Sequence, residues 1–203
     1  MPKIISFEGC IGAGKTTLTN YFAHTLHMEK ILEAFQKNPF LEEFYHGQDV
    51  TLETEMAFLL IHCWQLKKAL KTSQSDYVLA DFSIEKDLVY ARLNLEDGAL
   101  RVFEDAYDYV VKQVGVPYVT IYLDLSLDNL RRRIFQRGRP YEMEADVNYF
   151  KEYNDRVKEY FLGHSCSTVY CFDVNDLQLD PDNAKLIRIR DRILGCCSGT
   201  IRG

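Results

Sequence analysis

The run Gly9-Cys10-Ile11-Gly12-Ala13-Gly14-Lys15-Thr16 fits the spacing G-x-x-x-x-G-K-[ST] at every position. Small residues let successive backbone N–H groups close around phosphate oxygens, and a following helix adds the positive end of its dipole. In such a loop the lysine, here Lys15, reaches the β- and γ-phosphates, and the hydroxyl of Thr16 ligates Mg²⁺. The chemistry implied is binding of ATP or another nucleoside triphosphate with its metal. The loop by itself does not separate kinase, GTPase and ATPase.

Three further features bear on where a phosphoryl group would go. Arg131-Arg132-Arg133 leads into Arg137-Gly138-Arg139, a concentrated cationic site in an acidic chain. Arginines so spaced can converge on phosphate oxygens and neutralise the transferring group, with Gly138 as a hinge. Read singly, Arg131 and Arg132 also suit a solvated basic helix face. Glu33 follows a short apolar pair, Ile31-Leu32, at what reads as the carboxyl end of a strand. Open α/β sheets bind ligands there, and a carboxylate so placed can accept the proton of an attacking hydroxyl. Taken alone, an acid at such a position is more often an ordinary surface group. Asp81 ends the apolar run Tyr77-Val78-Leu79-Ala80. It can serve a metal, or cap the helix that follows, and the two roles are compatible.

The elements that must position these groups are legible as periodicities. Ile4–Phe7, Ile31-Leu32, Tyr77–Ala80, Val119–Leu123 and Thr168–Phe172 read as buried strands. Helical spacing covers Thr16–Leu26, Leu52–Leu70, Ile84–Leu95, Ala99–Val114, Ser126–Gln136, Asp146–Leu162 and Pro181–Leu194. Asn38-Pro39 reads as a further helix start, with Asn as N-cap. Strands alternating with helices predict an α/β fold, a parallel sheet of five strands covered on both faces. Residues 1–194 read as one P-loop domain and 195–203 as a flexible tail.

The chain has 203 residues, 47% of them hydrophobic and 27% charged. A domain of this size buries about 70% of the surface its unfolded form exposes. Twenty-four Lys and Arg against 30 Asp and Glu leave a net charge of −6. That balance argues against a nucleic-acid polymer or an anionic membrane as partner, since both need a basic face. No stretch has the roughly 18 apolar residues of a membrane span. The opening MPKIISFEG lacks the basic-then-apolar layout of a secretory signal. Six cysteines include no C-x-x-C pair, which disfavours a zinc ribbon and suits reduced thiols in the cytoplasm.

The segment Phe7-Glu8-Gly9 through Thr17 resembles the opening of the deoxynucleoside kinases, the family that phosphorylates deoxycytidine, deoxyguanosine and deoxyadenosine. Asn38-Pro39-Phe40-Leu41-Glu42-Glu43-Phe44-Tyr45 is similar to that family's segment before the substrate helix. Arg133-x-x-x-Arg137-Gly-Arg139 resembles its lid, and Phe172-Asp173-Val174-Asn175-Asp176-Leu177 its adenine-side loop. The resemblance spans roughly residues 3 to 180. It implies an ATP-dependent kinase acting on the 5′-hydroxyl of deoxyribonucleosides. It casts Glu33 as general base, and Lys15, Arg137 and Arg139 as stabilisers of the transferring phosphoryl. Thr16 and Asp81 serve Mg²⁺, and Tyr45 and Glu142 hold the sugar 3′-hydroxyl. Phe40, Phe58 and Trp64 line or back the base pocket, and Thr17, Arg133, Asp173 and Asn175 lie on the nucleotide side. A homodimer built on the two long helices, Leu52–Leu70 and Ala99–Val114, is also implied.

Two departures stand out. After its third strand the family reads Glu-Arg-Ser or Asp-Arg-Ser, whereas this chain reads Asp81-Phe82-Ser83. Phe82 cannot supply a charge beside Glu33. Either another cation replaces the arginine, with Lys86 and Arg92 as candidates, or the Glu33 pKa rises. The substrate helix usually offers a Gln to the base, and here Glu55 stands in its place. An ionised Glu only accepts hydrogen bonds, while a protonated one also donates. Two rival readings remain open: a nucleoside monophosphate kinase of the thymidylate kinase type, and a catalytically silent nucleotide-binding module. Residues 30 to 72 contain lysines but no arginine, which favours an uncharged acceptor over a phosphate-bearing one.

Overall fold

The computed structural model describes residues 1–138 and 147–199, so Arg139 and Glu142 lie outside the described residues. Five strands, β1 (Lys3–Gly9), β2 (Glu29–Ile31), β3 (Tyr77–Ala80), β4 (Val119–Asp124) and β5 (Thr168–Asp173), form one sheet. All neighbouring pairs are parallel, in the order β2-β3-β1-β4-β5. The expected α/β architecture is therefore the one observed. β1 is central; β2 and β3 are laid to one side of it and β4 and β5 to the other. Ser6 of β1 and Ile31 of β2 are both level with Ala80 of β3. That register brings the residues after β2 and β3, Glu33 and Asp81, beside the loop after β1.

The helices among the described residues are α1 (Lys15–Thr25), α2 (Leu41–Tyr45), α3 (Thr51–Thr72) and α4 (Ile84–Asn94). They continue as α5 (Asp97–Val114), α6 (Leu127–Arg137), α7 (Val147–Gly163) and α8 (Ala184–Cys197). Alternation along the strands splits the core. Ile5, Phe7, Leu79, Ile121 and Leu123 pack with Leu18 and Phe22 of α1, Leu130 of α6 and Ile189 of α8. Ile4, Val78 and Ala80 pack on the opposite face with Leu59 and Leu66 of α3 and Phe103 of α5. Burial on both faces explains why these strands read as continuous apolar runs rather than alternating ones.

Local chemistry sets two turns at the site. A Cβ on Gly9 would lie 2.6 Å from the Leu123 carbonyl oxygen of the adjacent strand, and its φ is +143°. Only glycine lets β1 turn away so close to β4. Gly14, at φ +99°, then opens α1.

Several boundaries differ from expectation, and those of α2 and α8 have a clear cause. Asn38 does not cap α2. It is buried, its amide donates to the Thr54 carbonyl of α3 at 3.0 Å, and its Oδ1 accepts from Phe40 N at 3.1 Å. The side chain thus makes a turn and a tertiary contact, and the helix starts at Leu41. The last helix begins at Ala184 rather than Pro181, because Asn183 Oδ1 accepts from the amides of Lys185 and Leu186. It runs to Cys197, past the expected start of the tail, since Ile193 and Cys196 still pack into the core. Ser126 does cap α6, its hydroxyl accepting from Asn129 N at 3.4 Å. Among the described residues no helix is long and apolar enough to cross a membrane.

Candidate active site

The carboxyl ends of β1, β2 and β3 open into one cleft of about 790 Å³. Gly12, Gly14, Lys15, Thr16 and Thr17 line one end, with Arg133 and Arg137 of α6 beside them. Ile11 also lines the cleft, while Cys10 and Ala13 turn into the core. The Lys15 ammonium donates to the Gly9 and Cys10 carbonyls at 2.9 and 3.0 Å. Burial, and then the charge of Lys86, lower its pKa. Arg133 acts as a brace. Its Nη1 donates to the carbonyls of Gly12 and Ala13 at 3.1 and 3.2 Å, and its Nη2 to Val174 O at 2.8 Å. Arg137 lies one helical turn further along the same face of α6 and reaches the cleft. Arg131 and Arg132 are exposed on the helix surface.

Asp81 links the phosphate loop to Glu33. The Thr16 hydroxyl donates to Asp81 Oδ2 at 2.5 Å, and the Glu33 amide donates to Oδ1 at 2.6 Å. Ser83, not Asp81, occupies the cap position of α4. The Thr16 hydroxyl and the Asp81 carboxylate are hard oxygen donors beside a phosphate loop. They suit Mg²⁺, which takes oxygen ligands and leaves most positions to phosphates and water.

Glu33 is fixed from several sides. Gln65 of α3 grips the backbone on either side of it. Its Nε2 donates to Leu32 O at 2.6 Å, and its Oε1 accepts from Ala34 N at 3.1 Å. The Lys86 ammonium donates to Glu33 Oε1 at 3.0 Å. His62 Nε2 lies 3.2 Å from the same oxygen. Burial would raise the Glu33 pKa, but the Lys86 charge and then His62 outweigh it and hold the carboxyl well below the usual range. The rise expected for a base without its arginine does not occur, because Lys86 stands in. The other candidate, Arg92, pairs with Glu104 on the surface. Phe82 is fully buried and stacks on the His62 ring, with centroids 4.4 Å apart.

The far end of the cleft is more apolar, lined by Tyr45, Phe58 and Tyr149. Glu55 is buried there, its Oε1 accepting from Asn94 Nδ2 at 2.7 Å. Burial raises its pKa to about 8, opposed by the Asn94 hydrogen bond. Some expected residues are not on this surface. Phe40 precedes α2 and is not part of the lining. Trp64 faces outward, 52% exposed, with the Lys37 ammonium over its ring. Asp173 is exposed and accepts from Asn175 N at 2.9 Å. Asn175 Oδ1 in turn accepts from Ser126 N at 2.8 Å, at the edge of a second hollow of about 310 Å³.

Comparison with known proteins agrees with this geometry. The sequence profile described as Deoxynucleoside kinase matches residues 5–197. A deoxyguanosine kinase of Bacillus subtilis is 32% identical over 154 residues, 73% of each chain. A deoxyadenosine/deoxycytidine kinase of the same organism is 28% identical over 203 residues, 95% of this chain and 93% of the relative. In fold, the chain is similar to a deoxyadenosine kinase from M. mycoides solved with dCMP and a flexible dCDP. That likeness has a TM-score of 0.78 at 21% identity, covering 98% of this chain and 100% of the other.

His62, Gln65 and Asp87 did not stand out from the sequence. One signal was there. Glu55, Leu59, His62 and Leu66 share one stripe of α3, so a histidine in phase with apolar residues had to be buried and to find a polar partner. The Lys86–Glu33 pair offers a direct test. Lys86→Met keeps the stem but strands a carboxylate that is only 21% exposed. A loss of about 3 kcal/mol is expected, read as a lower urea midpoint at unchanged m. Arg92→Met, which breaks an exposed pair, should lose about 1 kcal/mol or less.

Proposed function

The chain belongs to the deoxynucleoside kinase family, and from that premise we propose that it transfers the γ-phosphoryl group of ATP, or another nucleoside triphosphate, to the 5′-hydroxyl of a deoxyribonucleoside. The observation that carries this reading is the position of Glu33. Its amide is held by Asp81, which also holds Thr16 of the phosphate loop, and its carboxylate is held by Lys86. A base fixed relative to the loop is fixed relative to the phosphate it must serve, which is the main requirement in phosphoryl transfer.

Each side chain then has a task. Glu33 accepts the proton of the 5′-hydroxyl as the oxygen attacks. Lys15, Arg137 and Arg139 neutralise charge on the transferring group, and Arg133 keeps the loop in shape. Thr16 and Asp81 would hold Mg²⁺, which would supply further neutralisation of phosphate oxygens when bound. Tyr45 and Glu142 hold the sugar, Phe58 flanks the base, and the Asp173–Asn175 loop borders the nucleotide's adenine. Among the described residues, the lysines and arginines lining the cleft are Lys15, Lys86, Arg133 and Arg137, while the far end is held by Tyr45, Glu55, Phe58 and Tyr149. That separation favours an uncharged nucleoside over a monophosphate as acceptor. The thiol pattern supports a cytoplasmic setting. Leu60 and Trp64 on α3 and Val102 and Tyr109 on α5 are each more than half exposed, which supports a homodimer across these two helices. Light scattering of the purified chain is expected to give twice the monomer mass.

With ATP and Mg²⁺, the four common deoxynucleosides supplied in turn should yield a monophosphate from at least one, and dTMP none. Turnover with dTMP only, or with no acceptor, overturns the reading. Glu33→Gln should bind ATP normally and lose between about 10² and 10⁴ in kcat; near-normal kcat would remove Glu33 as base. Glu55, neutral below its pKa of about 8, can donate and accept together, as a glutamine does. As pH rises through 8 it becomes an acceptor only. KM for the nucleoside should therefore rise between pH 7 and 9 while KM for ATP stays flat, and Glu55→Gln should abolish that rise.

A further inference from the structure

Four ionisable side chains form a chain at the centre of the cleft: Asp87, His62, Glu33 and Lys86. His62 Nδ1 lies 2.8 and 2.9 Å from the two Asp87 oxygens. An ionised carboxylate has no proton to give, so Nδ1 carries the hydrogen. His62 Nε2 is buried, lines the cleft and lacks an aligned hydrogen bond among the described residues, yet lies 3.2 Å from Glu33 Oε1. If Nε2 were a bare lone pair, it would face a carboxylate across that distance inside the protein. Protonating Nε2 turns the repulsion into attraction and leaves a donor that still needs a partner. The Phe82 ring, stacked on the imidazole, presents a π-face to that positive charge. With His62 charged, the four groups also sum to zero.

We infer that His62 is a positioning residue for the transfer: as an imidazolium braced by Asp87 and Phe82, it holds the Glu33 carboxylate and offers Nε2–H to the acceptor hydroxyl oxygen. The hydroxyl is thereby lined up with the carboxylate that takes its proton. His62 keeps its own proton throughout. Lys86 and His62 together do what one guanidinium beside Glu33 could do, and Phe82, which brings no charge, holds one in place. The inference rests on Glu33 being the base.

The groups facing His62 are Asp87 and Lys86 from α4, Glu33 from the loop after β2, Phe82 from the turn before α4, and Phe58 on α3 itself. Glu55 on α3 and Glu8 on β1 also interact with Lys86, and burial raises the pKa of both, to about 8 and about 7. Burial lowers the His62 pKa, but the Asp87 charge and then Glu33 raise it, to about 9. In the wild-type protein, ¹⁵N NMR of the imidazoles at pH 7.5 is expected to show one histidine protonated at both nitrogens and titrating near 9. Its signal should be absent from His62→Gln. A neutral His62 at pH 7.5 overturns the inference, and this measurement does not depend on any variant folding.

Kinetics gives a second arm, with deoxyadenosine or deoxycytidine as acceptor, whichever is turned over. His62→Gln should lower kcat about 10- to 100-fold with KM for ATP unchanged. At saturating nucleoside it should also remove an alkaline limb of the wild-type kcat profile near pH 9. Unaltered kcat and an unaltered limb would overturn the inference. If Glu33→Gln is inactive and His62→Gln is normal, only the role of His62 fails; if Glu33→Gln is normal, the base assignment itself has failed.

Discussion

The structure turns on one constraint: charges that have left water must meet partners. Helix α4 is buried on nearly every side, yet it carries Glu85, Lys86 and Asp87 in succession. An unpaired charge there would destabilise the fold by several kcal/mol. Each therefore reaches a different neighbour. Glu85 accepts from Ser165 and the Cys166 amide, Lys86 meets Glu33, and Asp87 meets His62. These three contacts tie α4 to the segment before β5, to the loop after β2 and to α3.

The same pairings carry over into chemistry. Glu33 is held through its carboxylate by α4, through its flanking backbone by Gln65 of α3, and through its amide by Asp81. Asp81 then reaches Thr16 at the start of α1. An acid at the end of a short three-residue strand would ordinarily be a mobile surface group. Here it is as fixed as the phosphate loop. Arg133 plays a comparable part for the loop, closing its carbonyls onto Val174 at the end of β5. Pre-organisation of this kind removes the need to align groups during the reaction.

How much of this could be read in advance varied with how local the cause was. The phosphate loop and the β3 and β4 strands depend on nearest neighbours and on burial, and they lie close to where the periodicity places them. Asn38 shows where local reasoning runs out. Its type suits a cap, but its Oδ1 closes a turn with the Phe40 amide while its Nδ2 reaches the Thr54 carbonyl on α3, and the helix starts only at Leu41. Trp64 shows the opposite failure: a large aromatic on a helix beside the cleft suggests a pocket wall, yet its phase on α3 turns it to solvent. Lys86 could be named as a candidate because it lies near Phe82 in sequence. Gln65 and His62 lie 25 or more residues from the backbone and carboxylates they hold, and no short-range pattern joins them.

The sequence by itself determined the phosphate loop, the alternation of strands and helices, and the presence of an acid after each of β2 and β3. Those follow from residue type, spacing and the length of apolar runs, all of which act along the chain. Only the tertiary structure decided which cation faces Glu33, that its carboxyl is held ionised rather than neutral, and that a histidine stands between two acids. Those outcomes depend on distances of about 3 Å between groups far apart in the chain. They also depend on burial, since in the protein interior a partner's position settles whether a group is charged.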